Sequence, residues 1–137
     1  MNLNQVTLPV DDMKAATDFY ETLGFILIVD TPHYARFECP AGSSTFSLSL
    51  TEGESQHGAV IYFEHENLDI WVKALTAKGI EFDTEPTDQS FLWREAGLRD
   101  PSGNKIILYW AGENRLNPPW RISPNSANSE LGAHSKN

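Results

Sequence analysis

Asp100-Pro101-Ser102-Gly103-Asn104-Lys105-Ile106-Ile107-Leu108-Tyr109-Trp110 is the stretch on which the reading of the fold turns. Its first five residues carry turn chemistry. Proline presets φ, glycine supplies a positive-φ position, and Asp and Asn hydrogen-bond their own backbone. The remainder is β-branched and aromatic, which favours a strand. A second strand-like run, Phe91 to Leu98, precedes the turn, so the whole predicts a hairpin.

Working back to the start, Val6, Leu8 and Val10 alternate with Gln5 and Thr7. This is the pattern of a half-buried strand, and Pro9 confines its end to a ladder edge. Asp11 or Asp12 can cap a helix that carries Met13, Ala16, Tyr20 and Leu23 as its apolar stripe, with Thr17 among them, and that stops at Gly24. Phe25 to Val29, Tyr34 to Cys39 and Thr45 to Leu50 read as three further strands. From Gly58 the order begins again. Ala59 to Glu64 reads as a strand, Asn67 as the cap of a helix with Leu68, Trp71, Val72 and Leu75 on one face, Gly79 as its stop, and Ile80 to Phe82 as the next strand.

Shifting the first unit by 55 positions carries Val6 onto Ile61, Leu8 onto Phe63, Met13 onto Leu68, Tyr20 onto Leu75, Gly24 onto Gly79 and Phe25 onto Ile80. Strand, helix stripe and helix stop coincide together, which identifies an internal repeat. The fold class is therefore α+β, built from two tandem βαβββ modules, one over residues 3–52 and one over 57–111. A segment at 112–122, with Pro118-Pro119 and the apolar Trp120 and Ile122, docks on the body or on a second subunit. Residues 1–122 form a single domain, and 123–137 is a polar tail.

The 137 residues, 40% hydrophobic and 21% charged, suit one globular domain with a sizeable core. No apolar run is long enough for a membrane span and no leader pattern is visible, so a cytoplasmic protein is expected. The lone Cys39 fits a reducing compartment. Ten basic against nineteen acidic residues give a formal charge of -9, which disfavours nucleic acid and anionic membranes as partners.

The Asp-Pro-x-Gly-Asn hairpin and the paired βαβββ modules resemble the vicinal oxygen chelate superfamily, which includes glyoxalase I, extradiol dioxygenases, fosfomycin-resistance enzymes and bleomycin-resistance proteins. The resemblance covers roughly residues 3 to 111. It implies curved mixed sheets around a cleft, with the helices on the outer side, and a homodimer. In the metal-dependent members, His, Gln or Glu on the first and last strand of each module hold a divalent ion. Laid on this chain, those positions fall at Gln5, Ser49, Ala59 or Val60, and Ile107. Only Gln5 offers a usable donor, so no metal and no other cofactor is expected. His57, just ahead of the fifth strand, keeps a divalent metal open in an alternative reading as a glyoxalase-type lyase or dioxygenase with a non-standard ligand set.

Side chains alternate across each strand, and this parity gives the lining of the cleft. It assigns Gln5, Thr7, Tyr34, Arg36, Ser47, Ser49, Val60, Tyr62, Glu64, Trp93, Glu95, Lys105, Ile107 and Tyr109 to the cleft. Aromatic rings with a few polar groups make a small-molecule site, and rings beside Glu64 and Glu95 would suit an aromatic or cationic ligand. Glu64 and Glu95 are also the candidate general bases of a metal-free enzyme. The same residues could instead seal a subunit interface. The reading that results is a metal-independent protein of the sequestration type, most similar in character to the bleomycin-resistance branch.

Overall fold

A computed structural model describes residues 3–53 and 58–122. The polar tail and His57 lie outside the described residues. Module one comprises β1 (Gln5–Val10), α1 (Met13–Leu23), β2 (Ile26–Asp30), β3 (Tyr34–Glu38) and β4 (Thr45–Leu50); module two comprises β5 (Val60–Glu64), α2 (Leu68–Ala77), β6 (Thr87–Asp88), β7 (Arg94–Arg99) and β8 (Lys105–Trp110). Each module is a four-stranded mixed sheet, ordered β1-β4-β3-β2 and β5-β8-β7-β6. The first strand of each pairs with the last in parallel, and the remaining pairs are antiparallel. A 3-10 turn, Gly112–Asn114, follows β8.

The repeat extends to the hydrogen bonds that stop the helices. Gly24 and Gly79 hold φ of 109° and 97°, and the amides after them close the same loop: Phe25 N–H donates to the Tyr20 carbonyl and Ile80 N–H to that of Leu75, both at 3.1 Å. This left-handed exit satisfies carbonyls that the last turn leaves bare. The helix starts differ. Asp12 accepts from Ala15 N–H at 3.0 Å, a cap that satisfies an orphan donor. Asn67 occupies the cap position of α2, but its side chain makes no capping bond. Its own amide donates to His65 Nδ1 at 3.0 Å instead.

Two strands differ from expectation. Ile80 to Phe82 is not a strand; after Phe82, the amides of Asp83 and Thr84 both donate to the Gly97 carbonyl, and only Thr87–Asp88 joins the ladder. A three-residue apolar run followed by charge and Pro86 is too short to hold a register. Phe91 to Trp93 belongs to the turn before β7, with Gln89 N–H donating to the Trp93 carbonyl at 2.7 Å and Leu92 at φ 70°.

One core serves both modules. It joins Leu8, Val10, Tyr20, Phe37, Phe46 and Leu48 to Leu68, Leu75, Ala96, Leu98, Ile106 and Leu108. Phe63 of β5 bridges the halves, its ring centroid 4.4 Å from that of Phe25 and 5.3 Å from that of Phe46. Full burial of a Phe contributes roughly 1.5–3 kcal/mol; Phe25 and Phe46 are buried and Phe63 is partly so, and the halves are held by this shared burial. The Asp100 turn reinforces this. Asp100 accepts from Tyr20 of α1, from the Ser102 and Asn104 amides and from Asn104 Nδ2, while Asn104 Nδ2 also reaches the Pro9 carbonyl at 2.8 Å. The hairpin of module two is thereby fastened to the first strand and helix of module one.

Candidate functional site

Every strand in the core gives one face to Phe, Leu and Ile and turns the other away. On module one the outward face carries a hydrogen-bonded polar row. Gln5 Nε2 donates to Ser47 Oγ at 2.7 Å, Ser47 Oγ lies 2.6 Å from Tyr34 Oη, and Arg36 Nε donates to Tyr34 Oη at 2.9 Å. Thr45 donates to Gln5 Oε1. The row crosses β1, β4 and β3, and is fixed by the parallel register that sets Gln5 opposite Thr45 and Thr7 opposite Ser47. The hydrogen bond with Ser47, followed by the neighbouring guanidinium, holds the Tyr34 phenol below its ordinary pKa. Thr7 is exposed and Ser49 half-buried on the same face.

On module two the outward face centres on a cluster of rings. Tyr109 stacks on Trp93 with centroids 4.7 Å apart, and Tyr62 meets both edge-on at 5.5 and 5.9 Å. Phe91 adds a further edge contact to Trp93. Ile107, Tyr109 and Ala111 are buried as a second cluster, separate from the main core, with Trp93 packed against them. Tyr62 remains 46% exposed, as does Val60 at 40%. Burial first, and the Glu64 charge second, push the Tyr109 phenol up. Lys105 is exposed on this face.

The two faces meet at a groove of about 260 Å³ whose walls include Gln5 and Thr45 from one module and Val60 and Tyr62 from the other. A second hollow, of about 450 Å³, continues past Tyr62 and Glu64 to His65, Trp71 and Cys39. A larger hollow, about 1110 Å³, lies beside α2 and holds none of the candidate residues; its Arg94 is tied to Asp69 and Asp88.

The carboxylates depart from the sequence expectation. Glu64 does not present a free charge to a ligand. Its Oε2 accepts the amides of Ala111 and Gly112, both at 3.0 Å, and Oε1 lies 3.7 Å from Arg115, because the chain turns back at the end of β8 and exposes two amide donors there. Glu95 is half-buried, and desolvation raises its pKa, offset in part by Lys105. The geometric basis for a cationic ligand is thus removed at Glu64.

The repeat also corrects the metal register. The ladder Val60↔Lys105, Tyr62↔Ile107 of module two repeats Gln5↔Thr45, Thr7↔Ser47 of module one. Ile107 is therefore equivalent to Ser47, and the fourth-strand position is Ser47 rather than Ser49, which lies two residues farther from Gln5. The four equivalent positions are Gln5, Ser47, Val60 and Ile107. They offer one amide already bonded on both ends, one hydroxyl and two hydrocarbons, a donor set that does not fit a divalent ion. Among the described residues no three His, Cys, Asp or Glu side chains converge.

Sequence reasoning missed Thr45, which pins the Gln5 amide, and Phe91, which closes the ring cluster. The pairing of Gln5 with Thr45 needs the strand register, which parity alone does not supply. Phe91 reads from composition as the start of a strand, and only the left-handed Leu92 turns it towards Trp93.

Similar proteins place this architecture. A Bacillus subtilis (strain 168) protein, the uncharacterized YraH, is 28% identical over 127 residues, covering 80% of this chain and 98% of its own. The crystal structure of a glyoxalase/bleomycin resistance protein/dioxygenase from Nocardioides superposes with a TM-score of 0.71 at 23% identity, over 90% of each chain. A bleomycin-binding protein complexed with bleomycin superposes with a TM-score of 0.67 at 18% identity, over 80% of this chain and 98% of that one. At such identities the likeness is one of fold. The family model for the glyoxalase/bleomycin resistance protein/dioxygenase superfamily matches residues 2–108, which spans both modules, and to that superfamily this chain belongs.

Proposed function

We propose that the protein is a metal-independent small-molecule binder of the sequestration type, taking its ligand on the outward faces described above. The observation that carries this is the pair Val60 and Ile107 at the positions equivalent to Gln5 and Ser47. Hydrocarbon side chains cannot coordinate an ion, and Ile107 is 7% exposed, part of an apolar cluster rather than a ligand sphere. The ring cluster of Tyr62, Trp93 and Tyr109 supports the binding part, because flat rings supply large contact area at small entropic cost. The bleomycin-binding neighbour uses this fold to hold a small molecule. An aromatic ligand, a homodimeric assembly and a cytoplasmic location complete the reading.

Elemental analysis of purified protein, paired with ligand titration in the presence and absence of EDTA, tests it. Substoichiometric metal and EDTA-insensitive binding are expected. One equivalent of a divalent ion that is lost in Gln5→Ala would overturn the reading. A sedimentation mass equal to one chain at micromolar concentration would overturn the homodimer. A second reading, metal-free proton transfer, is favoured by one observation, the raised pKa of Glu95. Turnover in a substrate screen that Glu95→Gln abolishes would support it.

A further inference from the structure

The polar row on module one ends in a cation that no described residue neutralises. Arg94 pairs with Asp69 and Asp88, Arg99 with Asp83 and Arg115 with Glu64, while Arg121 reaches the Leu116 carbonyl and Asn117. Arg36 differs. Its Nε is fixed by Tyr34 Oη at 2.9 Å, and its guanidinium carbon sits 5.4 Å from the centroid of the same ring. Both terminal amino groups are left without a protein partner among the described residues. Carboxylates are plentiful in a chain of charge -9, and Glu38 shares the strand and the face, yet none of the described ones forms an ion pair with Arg36. A half-buried guanidinium that is positioned but unpaired is a recognition element awaiting an anion.

The proton inventory adds a donor beside it. Ser47 is 0% exposed and Tyr34 half-buried. Ser47 Oγ already accepts from Gln5. If Tyr34 donated to Ser47, the leftover hydroxyl proton would be the buried one on Ser47, with no acceptor. Buried polar hydrogens are bonded wherever an alternative exists, so Ser47 donates to Tyr34. The Tyr34 oxygen then accepts from Ser47 and Arg36, and its own O–H is free to point off the sheet. That arrangement agrees with the lowered phenol pKa.

We propose that Arg36 and Tyr34 form an anion-recognition point, and that the molecule this face takes is a small organic carboxylate with an apolar or aromatic body. The inference deepens the proposed binding function and rests on it. A planar carboxylate matches the guanidinium fork, and a single arginine balances a single charge, whereas a doubly charged oxyanion would call for further cations. Gln5, at the other end of the row, opens onto the groove lined by Val60 and Tyr62. Two strand spacings, about 10 Å, separate β3 from β1, which a three-carbon linker and a phenyl ring can span.

The test uses 3-phenylpropionate, 3-phenylpropanamide and 3-phenylpropylamine as probes, titrated into the full chain by calorimetry, with Arg Nε–H resonances followed by NMR. The carboxylate should bind at least tenfold more tightly than the amide and shift the Arg36 resonance. Arg36→Gln should reduce its affinity to that of the amide with unchanged melting temperature, and Tyr34→Phe should cost several-fold in affinity together with a lowered melting temperature, because it strands the buried Ser47 hydroxyl. Equal binding of the three probes, a preference for the amine, an affinity untouched by Arg36→Gln, or no carboxylate binding up to about 10 mM, the weak end of measurable affinity, would each overturn the inference. Metal-free binding that ignores the probe's charge sinks this inference alone. Carboxylate binding that EDTA abolishes and zinc restores sinks the metal-independent reading instead.

Discussion

Removing one oxygen atom, by Tyr20→Phe, should weaken the joint between the modules, and the loss should fade at high pH. Tyr20 is 0% exposed and donates at 2.8 Å to Asp100, itself 4% exposed. A buried hydrogen bond to a charged acceptor contributes about 1.5–3 kcal/mol, and the phenylalanine ring preserves the packing, so a loss of about 2 kcal/mol is expected at pH 7.5. That corresponds to a melting temperature lower by roughly 8 °C for a domain of this size. Burial first, and Asp100 second, raise the Tyr20 pKa far above its ordinary 10.0. The folded state therefore keeps a proton that the unfolded chain releases above pH 10. The stabilisation is complete below that pH and declines as pH rises beyond it. At pH 11 the linkage removes about 1.4 kcal/mol from the wild type and nothing from the variant. Urea unfolding followed by tryptophan fluorescence at pH 7.5 and pH 11 should show the difference shrink from about 2 to about 0.6 kcal/mol. A variant as stable as wild type at pH 7.5, or a difference that stays constant to pH 11, would refute the proposed coupling.

Other perturbations act on single elements. Asp12→Ala removes the α1 cap bond to Ala15 and should cost about 1 kcal/mol in chemical denaturation. Leu92→Gly should be neutral or should stabilise by up to about 1 kcal/mol despite the lost side chain, because the left-handed backbone at φ 70° disfavours any residue with a Cβ; a marked fall in melting temperature would show that exposed Leu92 packs against something. Val60→His combined with Ile107→Glu should destabilise the protein by roughly 2–4 kcal/mol, through a carboxylate placed in an apolar cluster. Zinc should then restore the melting temperature of the double variant while leaving the wild type unmoved, and a double variant indifferent to zinc would contradict the deduced convergence of the four positions.

Much of the architecture was legible because it is written in local signals. Helix stripes and stops recur 55 residues apart, and the matching Tyr20–Phe25 and Leu75–Ile80 hydrogen bonds show that the same local chemistry operates twice. Strand parity likewise separated Leu8, Phe37 and Ile106 from Gln5, Arg36 and Ile107. The features that escaped depend on pairing between distant segments. Ser47 rather than Ser49 neighbours Gln5 because of the β1–β4 register, which no property of either strand alone determines. Glu64 is used up by amides 47 and 48 residues away. Ile80 to Phe82 has strand composition, yet the hydrogen bonds of the chain just after it go to the Gly97 carbonyl, a tertiary preference that overrides a short local one.

The repeat makes the functional divergence of the halves measurable position by position. Gln5 and Ser47 are joined by a hydrogen bond, and Val60 and Ile107 at the same places are hydrocarbon. A site that gripped an ion would need donors from both modules, since two ligands from one sheet leave half the coordination sphere to water. Instead the sheets differ in character: a polar row ending in Arg36 on β1, β4 and β3, and a ring cluster on β5, β8 and β7 with the charged Glu95 and Lys105 beside it. Such a split would orient the small molecule proposed above, its hydrogen-bonding end meeting the row that finishes at Arg36 and its apolar body meeting Tyr62. The reversed pose would place a carboxylate beside Glu95 and the rings, with Lys105 already facing Glu95, and set a ring against the polar row, and a charge or polar group buried without a partner is costly.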